Sequence, residues 1–401
     1  METQAETDEH VCRCELAGSE ALTPLFSPLT IRGLRLPNRF VMAPMTRSFS
    51  PRGVPPPDTA PYYRRRAEGG TGLLVTEGIA IPHEAAIGLS GVDVPDIPQL
   101  LGEEALGAWR HVVDEVHAGG GLIAPQLWHQ GPMRAPFTGR NPAAKSLRPS
   151  GIWGPLDGKS LVNPDFIGSV RRPIEPMTDE DIADVIAAYG HAAADAKALG
   201  FDAIAVHGAH GYLIDSFLWA GTNRRTDRWG GDIAARSEFA AQTVRGIRAA
   251  VGPALPIVFR FSQWKLQDAG ARLANTPAEL EQMLGPIAAA GVDVFEVSER
   301  CFDTPAFAGS DLCLAGWTRR VTGRFTMTVG SVGLSKGLFE SRGAGSDFAD
   351  NLGALVKRFE RQEFDLIAVG RMLIANPDWV RRVRLGQPLR AFNRSLLATL
   401  S

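Results

Sequence analysis

A closed barrel of eight parallel strands, each followed by a helix, is the fold this sequence predicts. Three observations lead there. From Arg39 onward short apolar runs alternate with longer amphipathic ones, the rhythm of strands feeding crossover helices in a parallel sheet. The apolar runs number eight. They also end, one after another, in polar or glycine-bearing groups, as strands do when one end of the barrel carries a site.

The runs are residues 40–43, 72–76, 122–126, 203–206, 257–260, 294–297, 325–329 and 366–369. The first ends in Ala43-Pro44-Met45-Thr46-Arg47, the second in Thr76-Glu77-Gly78 and the third in Gln126-Leu127-Trp128-His129-Gln130-Gly131. The fourth runs into His207-Gly208-Ala209-His210-Gly211-Tyr212, the fifth carries Arg260, the seventh ends in Gly330-Ser331 and the eighth in Gly370-Arg371. Helical stretches lie between most neighbours. The clearest starts at Thr178, an N-cap with Asp181 three residues on, and passes through Ile182, Ile186, Tyr189 and Ala193 to a stop at Gly200.

A (β/α)8 TIM barrel needs about 250 residues, and this chain has 401. The surplus is expected in extended βα loops at the C-terminal face, chiefly insertions at about 128–177 and 300–323, with the first forming a lid over a ligand. Residues 1–22 are acidic and polar and read as a disordered N-terminal extension without the basic and apolar regions of a secretory signal. Residues 23–401 read as a single domain.

Composition narrows the function classes. The hydrophobic content of 44% supports a large core, and no apolar run is long enough to span a bilayer. A formal net charge of −2 leaves no large basic surface for phosphate backbones, so neither nucleic acid nor membrane is an expected partner. Arg64-Arg65-Arg66 reads as a solvated helix face. The four cysteines, Cys12, Cys14, Cys301 and Cys313, lack both disulfide-scaffold density and Cys-x-x-Cys spacing, which fits a reducing cytoplasm. Gly154 to Ser160 has the wrong glycine spacing for a phosphate loop. Lys265 reads as a solvent-facing loop lysine rather than a Schiff-base lysine.

Chemistry concentrates in the hexapeptide His207 to Tyr212. Its glycines allow a sharp turn and close approach of a flat ligand, while two imidazoles and a phenol can converge on one polar atom. The His-x-x-His spacing also suits a metal, and each histidine alone can be structural. The constellation suits reduction of a polarised double bond.

Taken together, Ala-Pro-Met-Thr-Arg, Gln-Leu-Trp-His, His-Gly-Ala-His-Gly-Tyr-Leu-Ile-Asp-Ser-Phe-Leu, Asn223-Arg224-Arg225-Thr226-Asp227-Arg228-Trp229-Gly230-Gly231 and Val369-Gly370-Arg371 resemble, in order, the old yellow enzyme family of FMN-dependent NAD(P)H oxidoreductases. The resemblance spans about residues 23–385. It implies FMN as cofactor and NAD(P)H as hydride-donating co-substrate. Gly330, Ser331, Gly370 and Arg371 would hold the phosphate, Gln126 the pyrimidine edge of the flavin, and Arg260 the negative charge near its N1 and O2. Pro44, Met45 and Thr46 would lie beside the ring, with Gly78 where backbone approaches it. His207 and His210 would bind the oxygen of an electron-poor alkene, with His207 also close to the flavin, and Tyr212 would give the proton.

The sequence departs from the family pattern at Ser331, Trp229 and the segment Phe261-Ser262-Gln263-Trp264-Lys265. Trp264, Phe302, Phe307 and Trp317 are candidate substrate-loop aromatics, and Cys301 and Cys313 read as small apolar residues near the pocket mouth. The implied protein is a monomer or homodimer, with Arg390 and Arg394 as candidates to reach a neighbouring subunit. Two other functions stay open: an FMN-dependent isomerase or dehydrogenase of a biosynthetic intermediate without net ene reduction, and a non-catalytic flavin-binding barrel.

Overall fold

The computed structural model describes residues 11–91, 96–337 and 347–401. Eight strands, β1 Phe40–Met42, β2 Leu73–Ala80, β3 Ile123–Trp128, β4 Ile204–His207, β5 Ile257–Phe261, β6 Val294–Ser298, β7 Phe325–Val329 and β8 Leu366–Val369, close into a barrel in chain order. All neighbours are parallel, and β8 closes on β1 through Ile367 opposite Phe40. Around them lie α1 Thr59–Glu68, α2 Glu103–Ala118, α3 Asp179–Leu199, α4 Glu238–Val251, α5 Pro277–Ala289, α6 Leu314–Thr322, α7 Leu352–Glu360 and α8 Trp379–Leu385. The predicted TIM barrel is the observed fold.

Strand periodicity explains why the barrel has two cores. Val41, Leu73, Val75, Ala124, Ala205, Val258 and Ala368 pack together inside it. Their neighbours in sequence, Met42, Leu74, Ile123, Val206, Phe259 and Ile367, belong to the layer shared with the helices. Alanines on the inner face leave room that larger residues would overfill. The N-terminal end of the barrel is closed by a hairpin, Leu29–Ile31 against Leu34–Leu36, which sends Ile31 and Leu36 into the inner cluster. The opposite, C-terminal end is free for chemistry.

The helix read from Thr178 has that residue as its N-cap. Thr178 and Asp181 form a reciprocal capping box, and Gly200 ends the helix in the left-handed region at φ 92°. Its buried face, Ile182, Val185, Tyr189 and Ala193, rests on the barrel.

Four expectations need correction. Residues 11–22 do not behave as a disordered extension: Val11–Cys12 pairs antiparallel with Leu389–Arg390, and Cys14 and Leu22 are buried. The acidic composition hid a few apolar anchors that only the C-terminal part of the chain covers; residues 1–10 lie outside the described residues. The loop after β6 is irregular only as far as Cys313. There the Cys313 sulfur accepts the Gly316 N–H and starts α6, which ends at Gly323. Arg66 is fully buried rather than solvated, with its guanidinium 3.7 Å from the centre of the Tyr62 ring. Lys265 is fully buried and ion-paired to Asp215, because the loop that carries it folds inward across the barrel mouth.

Candidate active site

A cavity of about 370 Å³ opens at the C-terminal end of the barrel, within the size range of small-molecule sites. Pro44, Met45 and Thr46 line it from the chain after β1, Gly78 from β2, and Gln126 and Trp128 from β3. His207, His210 and Tyr212 line it after β4, Arg260 from β5, Gly330 and Ser331 after β7, and Gly370 and Arg371 after β8. The residues that the family resemblance implies for flavin and substrate meet in one space. The barrel brings them together because successive parallel strands deliver their C-terminal ends to one rim.

The β4 loop is the chemical centre. Ala209 N–H donates to His207 Nδ1 at 3.4 Å, which makes Nδ1 the acceptor and leaves the proton on Nε2. The His207 ring stacks on Trp128 at 5.8 Å and meets His210 at 5.1 Å. Burial first, and the Arg260 guanidinium second, hold both imidazoles well below the ordinary histidine pKa. They are neutral near pH 7 and act as hydrogen-bond groups rather than cations. Tyr212 is 6% exposed and stands edge-on to Trp128 at 4.8 Å.

Arg260 enters from β5 and is shared. Its Nη2 donates to Ser298 Oγ at 3.3 Å and its Nε stands 3.2 Å from Glu296 Oε1. It thus faces the cavity and also forms the ion pair within the barrel that its position in a strand allows. Burial raises the Glu296 carboxyl above its usual range while Arg260 pulls it back. Ser298 Oγ also lies 2.8 Å from His210 Nε2, joining the two sides of the cavity.

The donors present suit FMN. Gln126 is 2% exposed and its Nε2 is buried with no partner, a group that needs an acceptor such as a flavin pyrimidine edge supplies. Arg371, buried enough that its pKa is lowered, gives one N–H to Lys336 O at 2.7 Å. Ser331 sits in the left-handed region at φ 52°, its Oγ donating to Arg300 O and its carbonyl held by Asn351 Nδ2. The turn is therefore fixed with its backbone at the cavity wall. Among the described residues, no group of three or more His, Cys, Asp or Glu is placed to hold a metal.

The sequence reading missed part of the wall. Glu299, Leu266, Ile374, Phe392 and Leu397 line the cavity, as does Ser298. Ser298 ends a strand as the other site residues do, so a signal existed. Phe392 and Leu397 carried none, because they reach the site through the fold-back of residues 391–401. That segment is held by Arg47 Nη2 donating to Thr399 O at 2.6 Å. Arg394 lines the cavity of its own chain. Of the candidate loop aromatics, Trp264 lines the cavity, while Phe302 and Phe307 are buried in the main core.

A cation-bearing cavity at the mouth of a TIM barrel, with an orphaned amide and neutral imidazoles, suits a flavin oxidoreductase. The profile of the NADH:flavin oxidoreductase / NADH oxidase family matches residues 24–311, and the chain belongs to that family, the old yellow enzymes. It is 31% identical to 12-oxophytodienoate reductase 7 of Oryza sativa subsp. japonica, over 94% of this chain and 91% of that protein. It is 32% identical to the flavin oxidoreductase hxnT of Emericella nidulans, covering 93% and 94%. Among solved structures, morphinone reductase in complex with tetrahydroNAD superposes with a TM-score of 0.76 at 28% identity, covering 93% of each chain. Old Yellow Enzyme from Pichia sp. AKU4542 gives 0.74 at 25%, covering 93% of this chain and 90% of that one. The protein is an NAD(P)H-dependent flavin oxidoreductase with FMN as its cofactor. Among the described residues, no helix is long and apolar enough to cross a membrane.

Proposed function

We propose that the protein is an ene-reductase acting on α,β-unsaturated carbonyl or nitro compounds. The observation that carries this reading is the convergence of His207, His210 and Tyr212 on one cavity wall. FMN, when bound, accepts hydride from NAD(P)H and passes hydride to an electron-poor carbon. Gln126 would satisfy its pyrimidine edge, Arg260 would offset negative charge there, and Gly330, Ser331, Gly370 and Arg371 would hold its phosphate. Pro44, Met45, Thr46 and Gly78 would bound the ring.

The neutral imidazoles of His207 and His210 bind the substrate oxygen through N–H groups and stabilise the enolate-like charge that develops on it. Removing one such donor slows catalysis by about 10²–10³-fold in comparable sites. Tyr212 O–H is the proton donor to the α-carbon. Trp128, stacked on His207 and edge-on to Tyr212, restricts both rings to that use.

Anaerobic stopped-flow absorbance tests this directly: the holoprotein is mixed with NADPH and then with cyclohexenone. Bleaching of the flavin band followed by recovery is expected. Bleaching with no recovery on any enone would instead favour an isomerase or dehydrogenase, and a band unmoved by either reagent would favour a non-catalytic flavin-binding barrel.

A further inference from the structure

His210 and Gly211 are consecutive residues in the left-handed region, at φ 66° and φ 85°. For histidine that conformation is strained and persists only where its surroundings over-determine it. Here the surroundings come from the segment after β5. Ser262 Oγ accepts the His210 N–H at 3.0 Å, and Leu266 N–H donates to His210 O at 3.2 Å. Gln267 Nε2 donates to Gly211 O at 2.9 Å. The Trp264 indole stacks on the His210 ring at 4.3 Å and donates to Ser298 O.

One buried ion pair ties these parts together. Lys265 Nζ donates to Asp215 Oδ1 at 2.8 Å and to Ser262 O at 2.7 Å, and Asp215 Oδ2 accepts the Gly211 N–H at 2.5 Å. Both side chains are fully buried. Asp215 belongs to the helical turn Leu213–Leu218 directly after Tyr212, so the pair spans from the β5 loop to both sides of the turn. An ion pair is not needed for packing alone, since an apolar pair of similar volume serves as well or better in a core.

We propose that Lys265 and Asp215 are positioning residues: they lock the His210-Gly211 turn onto the β5 loop and so set the place of His210 and Tyr212 in the oxygen-binding site. The proposal rests on the reading of His207 and His210 as the groups that bind the substrate oxygen. Neither Lys265 nor Asp215 lines the cavity, so both act through the turn. Around the pair, Lys265 is the cation facing Asp215, and His210 feels Lys265, Arg260 and His207. Burial already holds the Asp215 carboxyl at about 6 against the pull of Lys265, so removing Lys265 pushes it further up.

The test is titration of the holoprotein with 4-hydroxybenzaldehyde, whose phenolate oxygen occupies an oxygen-binding site and perturbs the flavin spectrum. Affinities of each variant are compared with the unaltered protein at about pH 5.5 and about pH 8.5. Lys265→Met is expected to keep its flavin but bind the phenol about tenfold more weakly at the lower pH. The weakening should persist at the higher pH, because the turn has lost its lysine anchor there as well. The double variant Lys265→Met/Asp215→Asn, which carries no buried charge and retains an acceptor for Gly211 N–H, should bind more weakly than the unaltered protein by a ratio that does not change with pH. If Lys265→Met does not fold, the double variant decides alone. Affinity within about twofold of the unaltered protein at both pH values, in Lys265→Met or in the double variant, would overturn the proposal. A flavin spectrum in the unaltered protein that phenol never perturbs would instead overturn the oxygen-site reading, and the proposal with it.

Discussion

Tyr212 stands edge-on to His207, ring centroids 4.9 Å apart and planes at 83°. Both rings line the cavity, the phenol as the proposed proton donor and the imidazole as a proposed oxygen-binding group. Tyr212→Phe keeps the ring and its contacts but removes the proton. Flavin reduction by NADPH is expected to proceed at an unchanged rate, while enone-dependent reoxidation slows by about 10²-fold or more. Rates from separate half-reactions check this; equal reoxidation in the variant and the unaltered protein on several enones would exclude Tyr212 as the acid.

Neutral histidines make a second expectation. His207→Ala and His210→Ala each remove one N–H donor from a site in which both imidazoles are uncharged near pH 7. Each should weaken phenol binding by about 1–2 kcal/mol, close to 5- to 30-fold. The long-wavelength charge-transfer absorbance of the phenol complex reads this out, and an undiminished band in both variants would contradict the assignment.

Glu77 links the site to the pH dependence of stability. Its carboxyl is buried and accepts the Arg47 N–H at 2.9 Å, and burial pushes its pKa up to about 7 from 4.5. Between those values the folded protein holds a proton that the unfolded chain has lost. This contribution is therefore fully present below about pH 4.5 and falls as pH rises to about 7. Glu77→Gln removes the titration. Chemical denaturation at intervals from pH 5 to 8 should show a decline in the unaltered protein that is shallower in the variant, by up to ~3 kcal/mol. Parallel curves would show that Glu77 does not titrate in this range.

Gly211 leaves no room for a side chain. A Cβ there would stand 1.8 Å from Gln267 Oε1, and Gln267 is itself fully buried and cannot swing away. With φ at 85°, Gly211→Ala combines this clash with backbone strain and should destabilise by about 2–4 kcal/mol. Thermal melting of the holoprotein measures it. A melting temperature within about a degree of the unaltered protein would mean that the turn is looser than its hydrogen bonds indicate.

The legible parts of the sequence were those whose cause is local. Strand 4 ends at His207 because a β-branched and alanine-rich run gives way to glycines, and α3 begins at Thr178 because a reciprocal cap with Asp181 satisfies orphan backbone groups. Cavity-lining residues could be read where they sat near the C-terminal end of a strand or just beyond it, as Gln126, Arg260 and Arg371 do. Lys265 and Arg66 were misread because exposure is not a local property: a charged residue in a polar stretch looks solvated until the element that covers it is known.

By itself, then, the sequence determined the barrel, the strand ends and the family, since periodicity, caps and glycine turns are written within a few residues of where they act. Only the tertiary structure decided which distant groups share the cavity. It brought Phe392 and Leu397 back from the end of the chain, set Ser298 between Arg260 and His210, and buried Lys265 against Asp215. Such pairings depend on loop closure and packing across the barrel mouth. Those are set by the balance of burial and chain entropy over the whole fold, and no short window of sequence contains it.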